Sequence, residues 1–176
     1  MSEHAGHRRI DKIRDPAFVA GLADLPLEAL RARRDDCLAE REYLSLLRRL
    51  LQGRAEILKA EVEARKSGDT VPLVDRLSEI LADDDHPVTS RGEAVRVAIP
   101  EEEMLLARRR VERLAGDAEI SDPSALDDDA LGAAITALVT EEEGVSDARR
   151  DVFDALDALQ DELKRRYKDD PSLSLR

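Results

Sequence analysis

Ser45, Arg48, Gln52 and Glu56 are separated by three, four and four positions within residues 41–56. On a helix of 3.6 residues per turn, that spacing puts them in one polar stripe down one flank. Their chemistry suits a nucleotide. Arginine presents a planar fork that stacks on aromatic faces and pairs bidentately with phosphate or with guanine O6 and N7. A carboxylate matches the N1–H and N2–H₂ donors on the other edge of guanine, and a serine hydroxyl can donate to a phosphate oxygen. The set fits guanine plus phosphate.

A second stripe lies near the other end of the chain, at Glu142, Ser146, Arg149 and Asp157. A shift of 101 positions superimposes the two regions without a gap. Leu25, Ala29, Leu30, Glu40, Ser45, Arg48, Arg49, Leu58, Glu61 and Arg65 then fall on Leu126, Ala130, Leu131, Glu141, Ser146, Arg149, Arg150, Leu159, Glu162 and Arg166. Leu, Glu and Arg match partly through composition. The shared Ser-x-x-Arg-Arg, followed by an acid eight residues after its first Arg, is the stronger sign of duplication. One charge stripe on a coiled-coil helix is ordinarily a solvated face or a row of ion pairs. Two stripes of the same make-up weaken that account, and a doubled site fits a two-fold-symmetric guanine dinucleotide.

The elements that must carry the stripes are two long helices. Leu30, Cys37, Leu44, Leu51 and Leu58 recur every seven residues, as do Leu131, Leu138, Val145, Val152 and Leu159. Sustained heptads of this kind specify a coiled coil. Ser45 and Ser146 follow the seam residues Leu44 and Val145 by one position, so the stripes flank the seam and form a surface platform beside the coiled coil. The first helix is expected to be capped by Asp24, with Pro26 in its first turn, and to stop at Ser67-Gly68. At 1.5 Å per residue it is roughly 60 Å long, too long and too polar to stand alone. The second is expected to start near Ser124, with Asp127 three residues on as a capping-box variant, and to run to about Lys168, ahead of Pro171.

Five segments follow. Residues 1–24 form an N-terminal arm with a short helix at Ile10–Arg14, stopped by Pro16, and an apolar cluster of Phe18, Val19, Leu22 and Leu25. Residues 25–67 form the first long helix, with the first motif copy. Residues 68–123 form a connection with two shorter helices, one over Leu73–Leu81 and one opened by Pro100 and Glu101–Glu103 and closed by Gly116. Within it, Val95–Ile99 looks strand-like but has no evident partner strand. Residues 124–170 form the second long helix with the second copy, and 171–176 a tail. The fold class is all-α: a long antiparallel two-helix coiled coil with short accessory helices and an irregular connection.

Composition narrows the function. Of 176 residues, 39% are charged and 2% aromatic, with no Trp, which suits long helices and argues against an enclosed small-molecule pocket. A net charge of −12 disfavours nucleic acid or an anionic membrane as a direct partner and suits a basic protein. Cys37 is the only cysteine, so neither an intrachain disulfide nor a cysteine-based zinc site is available. It occupies a seam position equivalent to Leu138 and reads as a small buried apolar residue. His4, His7 and His86 have no partner at ligand spacing and read as surface residues. No metal motif, Ser/His/Asp set or glycine-rich phosphate loop is present, so no enzyme is expected. Without a signal peptide or an 18-residue apolar run, the expected location is the cytoplasm.

Residues 10–13 and 25–36, then 46–58, resemble the actinobacterial anti-sigma factors of the RsiG family, with further specific likeness over residues 141–167. The resemblance implies a protein that sequesters WhiG, a flagellar-type sigma factor controlling sporulation. It also implies that cyclic di-GMP is the signal, held as a dimer on an antiparallel coiled coil in which each helix supplies the pattern E-x3-S-x2-R-x3-Q-x3-D. Carried over, the ligand-binding residues are Ser45, Arg48, Gln52 and Glu56 in the first copy and Glu142, Ser146, Arg149 and Asp157 in the second. Three positions depart from the pattern: Arg41 replaces Glu, Glu56 replaces Asp and Phe153 replaces Gln. The resemblance implies no cofactor beyond the regulatory nucleotide, and the free chain is expected to be monomeric. Two other readings are a ligand-independent anti-sigma factor and a plain coiled-coil interaction scaffold.

Overall fold

The seam residues of both heptads are buried, from Leu30 through Leu58 and from Leu131 through Leu159. A computed structural model describes residues 9–68, 99–114 and 123–175, and among these every regular element is helical. The helices are α1 (Arg9–Arg14), α2 (Leu27–Ser67), α3 (Glu101–Leu114) and α4 (Asp128–Asp169). Short 3-10 turns precede the long helices at Leu22–Asp24 and Pro123–Ala125, and others lie at Pro16–Phe18 and Pro171–Leu175. The architecture is the all-α, antiparallel helix pair expected from the heptads. The expected helix at Leu73–Leu81 and His4, His7, His86 and Gly116 lie outside the described residues, as does Val95–Ile99 apart from Ile99.

The chain divides into two compact units, Met1–Leu44 with Ser146–Arg176, and Ser45–Val145. In the first, the N-terminal length of α2 runs antiparallel to the C-terminal length of α4. Arg31 there donates to the Tyr167 hydroxyl at 3.3 Å and to the Leu173 carbonyl at 2.6 Å. Leu30, Cys37 and Leu44 are buried here, as are Val152, Leu156 and Leu159. The N-terminal arm adds Ile13 and Phe18 to this core, while Val19 is exposed. So the cluster expected at Phe18–Leu25 is anchored by Phe18, with Leu22 and Leu25 only partly covered. Cations hold the arm. Lys12 pairs with Asp36 at 2.5 Å, Arg14 with Asp151 at 2.7 Å, and the Arg33 guanidinium lies 5.3 Å from the Phe18 ring centroid.

In the second unit, Arg65 pairs with Asp128 at 2.7 Å and Arg48 with Glu142 at 2.6 Å, again an antiparallel pairing of α2 with α4. Leu47, Leu51 and Leu58 are buried here with Leu131, Leu138 and Val145. Each such side chain contributes about 1.5–3 kcal/mol. Helix α3 packs through Ala107 and Val111, one turn apart. Its first turn is acidic and its first backbone bond runs from Met104 N–H to the Pro100 carbonyl at 3.1 Å, as expected at residues 100–103.

Two caps differ from the sequence expectation. Asp24 belongs to the 3-10 turn, and the first bonds of α2 go from Ala29 and Leu30 to the Pro26 carbonyl at 3.0 and 3.1 Å. Likewise Ser124 lies in the second 3-10 turn. The cap of α4 is Asp127, whose carboxylate accepts from Ala130 N–H at 2.7 Å. In both cases the turn takes up residues that a spacing rule assigns to the helix. The C-terminal stop of α2 is as expected: Gly68 adopts φ +68°, the left-handed conformation that glycine reaches most easily.

The repeat extends beyond the long helices. Arg65 Nε donates to Glu61 at 2.8 Å, and its Nη2 to the carbonyls of Pro123 and Ser124, both at 3.2 Å. At positions 101 residues apart, Arg166 Nε donates to Glu162 at 2.8 Å and its Nη2 to the carbonyls of Leu22 and Ala23 at 2.9 and 3.0 Å. Each clamp lies inside its own unit and ties a 3-10 turn to the far end of the partner helix. The same shift carries the Arg9–Glu40 pair (3.3 Å) onto Arg110–Glu141 (2.6 Å from Nε). The duplicated element therefore comprises a short helix, a 3-10 turn and a long helix.

Candidate functional site

Helix α2 carries Ser45, Arg48, Gln52 and Glu56, and all four lie in the second unit with Glu142 of α4. Arg48 Nε donates to Glu142 Oε1 at 2.6 Å, and the Gln52 side-chain amide donates to the same oxygen at 3.2 Å. One carboxylate oxygen thus orients the arginine of the first copy and the amide one turn on. The pair is half-exposed, with 38% of the Arg48 side chain and 21% of the Glu142 side chain open to solvent. The arginine fork is fixed by a single N–H of Nε. The assembly is a surface one, as the flanking position of the stripe implies. Glu56 is not drawn into this group: it is exposed and pairs with Lys59 at 2.9 Å.

Ser146, Arg149 and Asp157 lie in the first unit. There the Arg149 guanidinium sits 5.4 Å from the Phe153 ring centroid, within cation–π range. Ser146 is half-buried and Asp157 exposed. Position 153 is the repeat equivalent of Gln52, so the two copies handle their arginines differently. One is held by a carboxylate shared with an amide, the other is laid against an aromatic ring. The equivalent of Glu142 in the first copy is Arg41, and it pairs with its neighbour Glu42 at 2.9 Å.

Spacing alone left two features unread. Lys59, which neutralises Glu56, follows it by three positions in the ordinary i,i+3 relation and was visible as a charge pair. Arg9 and Arg110, which pair with Glu40 and Glu141, lie upstream of the aligned helices, where the same shift of 101 would have matched them. Electrostatics add one perturbed carboxyl away from the stripes. Glu162 accepts from Arg165 and from Arg166, in that order of effect, and these bonds hold its carboxyl down at about 2. Cys37 is buried on the seam, and burial pushes its thiol up to about 12, so no thiolate nucleophile is available there. Among the described residues no group of three or more His, Cys, Asp or Glu is placed to hold a metal ion.

The RsiG-like family model matches residues 16–81. Over this segment the chain is similar to the RsiG-like family. No curated protein matches it. The RsiG-like segment contains the first 3-10 turns, all of α2 and the whole first motif copy. Glu142, Ser146, Arg149 and Asp157 lie beyond it and are tied to it through the internal repeat. This likeness suggests an anti-sigma factor role, with a sigma factor as partner. Among the described residues of this RsiG-like chain, no helix is long and apolar enough to cross a membrane.

Proposed function

We propose that this chain sequesters a flagellar-type sigma factor of the WhiG class, with cyclic di-GMP as the signal that licenses the complex. The nucleotide is read by Ser45, Arg48, Gln52 and Glu56 of the first copy and by Glu142, Ser146, Arg149 and Asp157 of the second. The observation that carries this reading is the repetition of Ser-x-x-Arg followed by an acid on both long helices, with Arg48 oriented by Glu142, in a chain similar to the RsiG-like family. In the first copy Glu142 holds Arg48 in place, so its fork is presented to a phosphate or a guanine edge with little further ordering to lose.

The chain acts by binding and needs no catalytic group or cofactor of its own. With a net charge of −12 it complements the basic DNA-binding surfaces of a sigma factor. It works in the cytoplasm as a monomer before it meets its partner, and the sporulation programme of an actinobacterium is the setting that the partner class implies. The test is gel filtration of the chain with a WhiG-type sigma factor. Co-elution in cyclic di-GMP and separate elution without it is the expected result; separate elution in both buffers would overturn the proposal.

A second reading has its own support. Arg41 replaces an acid of the family pattern and Phe153 an amide, while Arg48 and Gln52 are already engaged by Glu142. A ligand-independent anti-sigma factor would show these features, and it predicts co-elution in nucleotide-free buffer. The plain scaffold reading predicts that neither Arg48→Ala nor Arg149→Ala alters any partner interaction.

A further inference from the structure

The chain has four aromatic residues, Phe18, Tyr43, Phe153 and Tyr167, and the fold treats one of them differently. Phe18 is buried, Tyr43 half-buried, and Tyr167 half-buried with its hydroxyl accepting from Arg31 at 3.3 Å. Phe153 is 37% exposed, on a helix face shared with Arg150, Asp154 and Asp157. An apolar ring on such a face adds nothing to solubility and little to the core. The Arg149 guanidinium, one turn back along α4, lies 5.4 Å from its ring centroid. In the other copy the equivalent side chain is Gln52, whose amide donates one hydrogen bond to Glu142 at 3.2 Å.

We propose that Phe153, with Arg149 beside it, is a stacking platform that takes the flat face of a purine base at the second motif copy. The inference rests on the nucleotide reading above and goes beyond it. The first copy recognises its base by the edge, through the Gln52 amide and the Glu56 carboxylate. The second recognises it by the face, with Asp157 one turn further on to meet the guanine N1–H and N2–H₂ donors. Stacking on an aromatic ring tolerates any purine, because every base has a π-face. The Arg149 guanidinium beside that ring supplies a cation next to the stacked base. The two copies therefore differ in how much of their affinity is guanine-specific.

The chain lacks tryptophan, so Phe153→Trp installs a single fluorescent reporter at the platform itself. The full chain is titrated with cyclic di-GMP as wild type, as Phe153→Trp and as Phe153→Leu, after circular dichroism has shown equal helicity. The inference predicts that Phe153→Trp binds at least as tightly as wild type, with its indole emission quenched on saturation. It predicts that Phe153→Leu, apolar but without a π-face, binds about tenfold more weakly. Binding of wild type and Phe153→Leu with equal affinity, or saturation of Phe153→Trp without a change in emission, would overturn the platform and leave the nucleotide reading standing. Absence of binding by the wild type would remove both.

Discussion

Arg48 and Glu142, far apart in sequence, meet at 2.6 Å between Nε and Oε1 inside one unit. The residues that repeat them are Arg149 and Arg41, two cations. The duplicated motif is therefore unequal at its leading position, and Arg149 has an aromatic ring beside it where Arg48 has a carboxylate. Removing the Arg48–Glu142 pair should cost little stability, because both partners are partly open to water. A double-mutant cycle of Arg48→Ala and Glu142→Ala, followed by urea denaturation, is expected to give a coupling of about 0.2–1 kcal/mol. A much larger coupling would make the pair a structural strut.

Arg41→Glu restores an acid at the position equivalent to Glu142. If that acid supports Arg149 as Glu142 supports Arg48, the variant gains one charge-assisted hydrogen bond in the second copy. Cyclic di-GMP affinity is then expected to rise about fivefold to tenfold, the equivalent of ~1 kcal/mol. Isothermal titration of the variant against wild type measures it, and unchanged affinity would separate Arg41 from the second copy's arginine.

The Glu162 carboxyl, held near 2 by Arg165 and Arg166, makes stability depend on pH. Its folded value is depressed below the unfolded one of about 4.3, so its contribution is present above that pH and is lost as pH falls through about 2. Thermal unfolding should show Glu162→Gln melting below wild type at pH 7, with the difference closing between about pH 4 and pH 2. A difference that persists unchanged at pH 2 would contradict the assignment.

Much of this arrangement is legible in the residues. The ten seam residues, the stop at Gly68 and the acidic start of α3 follow from period, glycine and charge position. The caps at Asp24 and Ser124 do not, because a 3-10 turn and a helical first turn draw on the same residue types. The full extent of the repeat was hidden for a different reason: α1 and α3 share too few identities to register, and only the Arg9–Glu40 and Arg110–Glu141 pairs reveal their equivalence. Within the candidate site, spacing placed Arg48 and Arg149 on matching stripes. It could not show that one would be bound by a carboxylate and the other laid on a ring, since that depends on which side chains the partner helix and the next turn supply.

Gly53 sits inside α2 between the motif residue Gln52 and Arg54, and a Cβ built there meets nothing within 4 Å. Gly53→Ala should therefore stabilise the chain by about 0.5–1 kcal/mol in urea denaturation. A loss of stability would show that the site requires glycine for reasons other than space.

Cys37 is fully buried on the seam with its thiol raised to about 12. A thiol-specific colorimetric reagent should leave it unmodified in the native protein at pH 8 and label it stoichiometrically in denaturant. Rapid native labelling would mean that the seam opens at this position.

The central claim is that the duplicated motif binds cyclic di-GMP, and isothermal titration of the full chain with that nucleotide tests it most directly, alone and mixed with a WhiG-type sigma factor. A saturable heat that disappears in both Arg48→Ala and Arg149→Ala is the predicted result. No heat at high micromolar nucleotide, in the free chain and the sigma mixture alike, would contradict it.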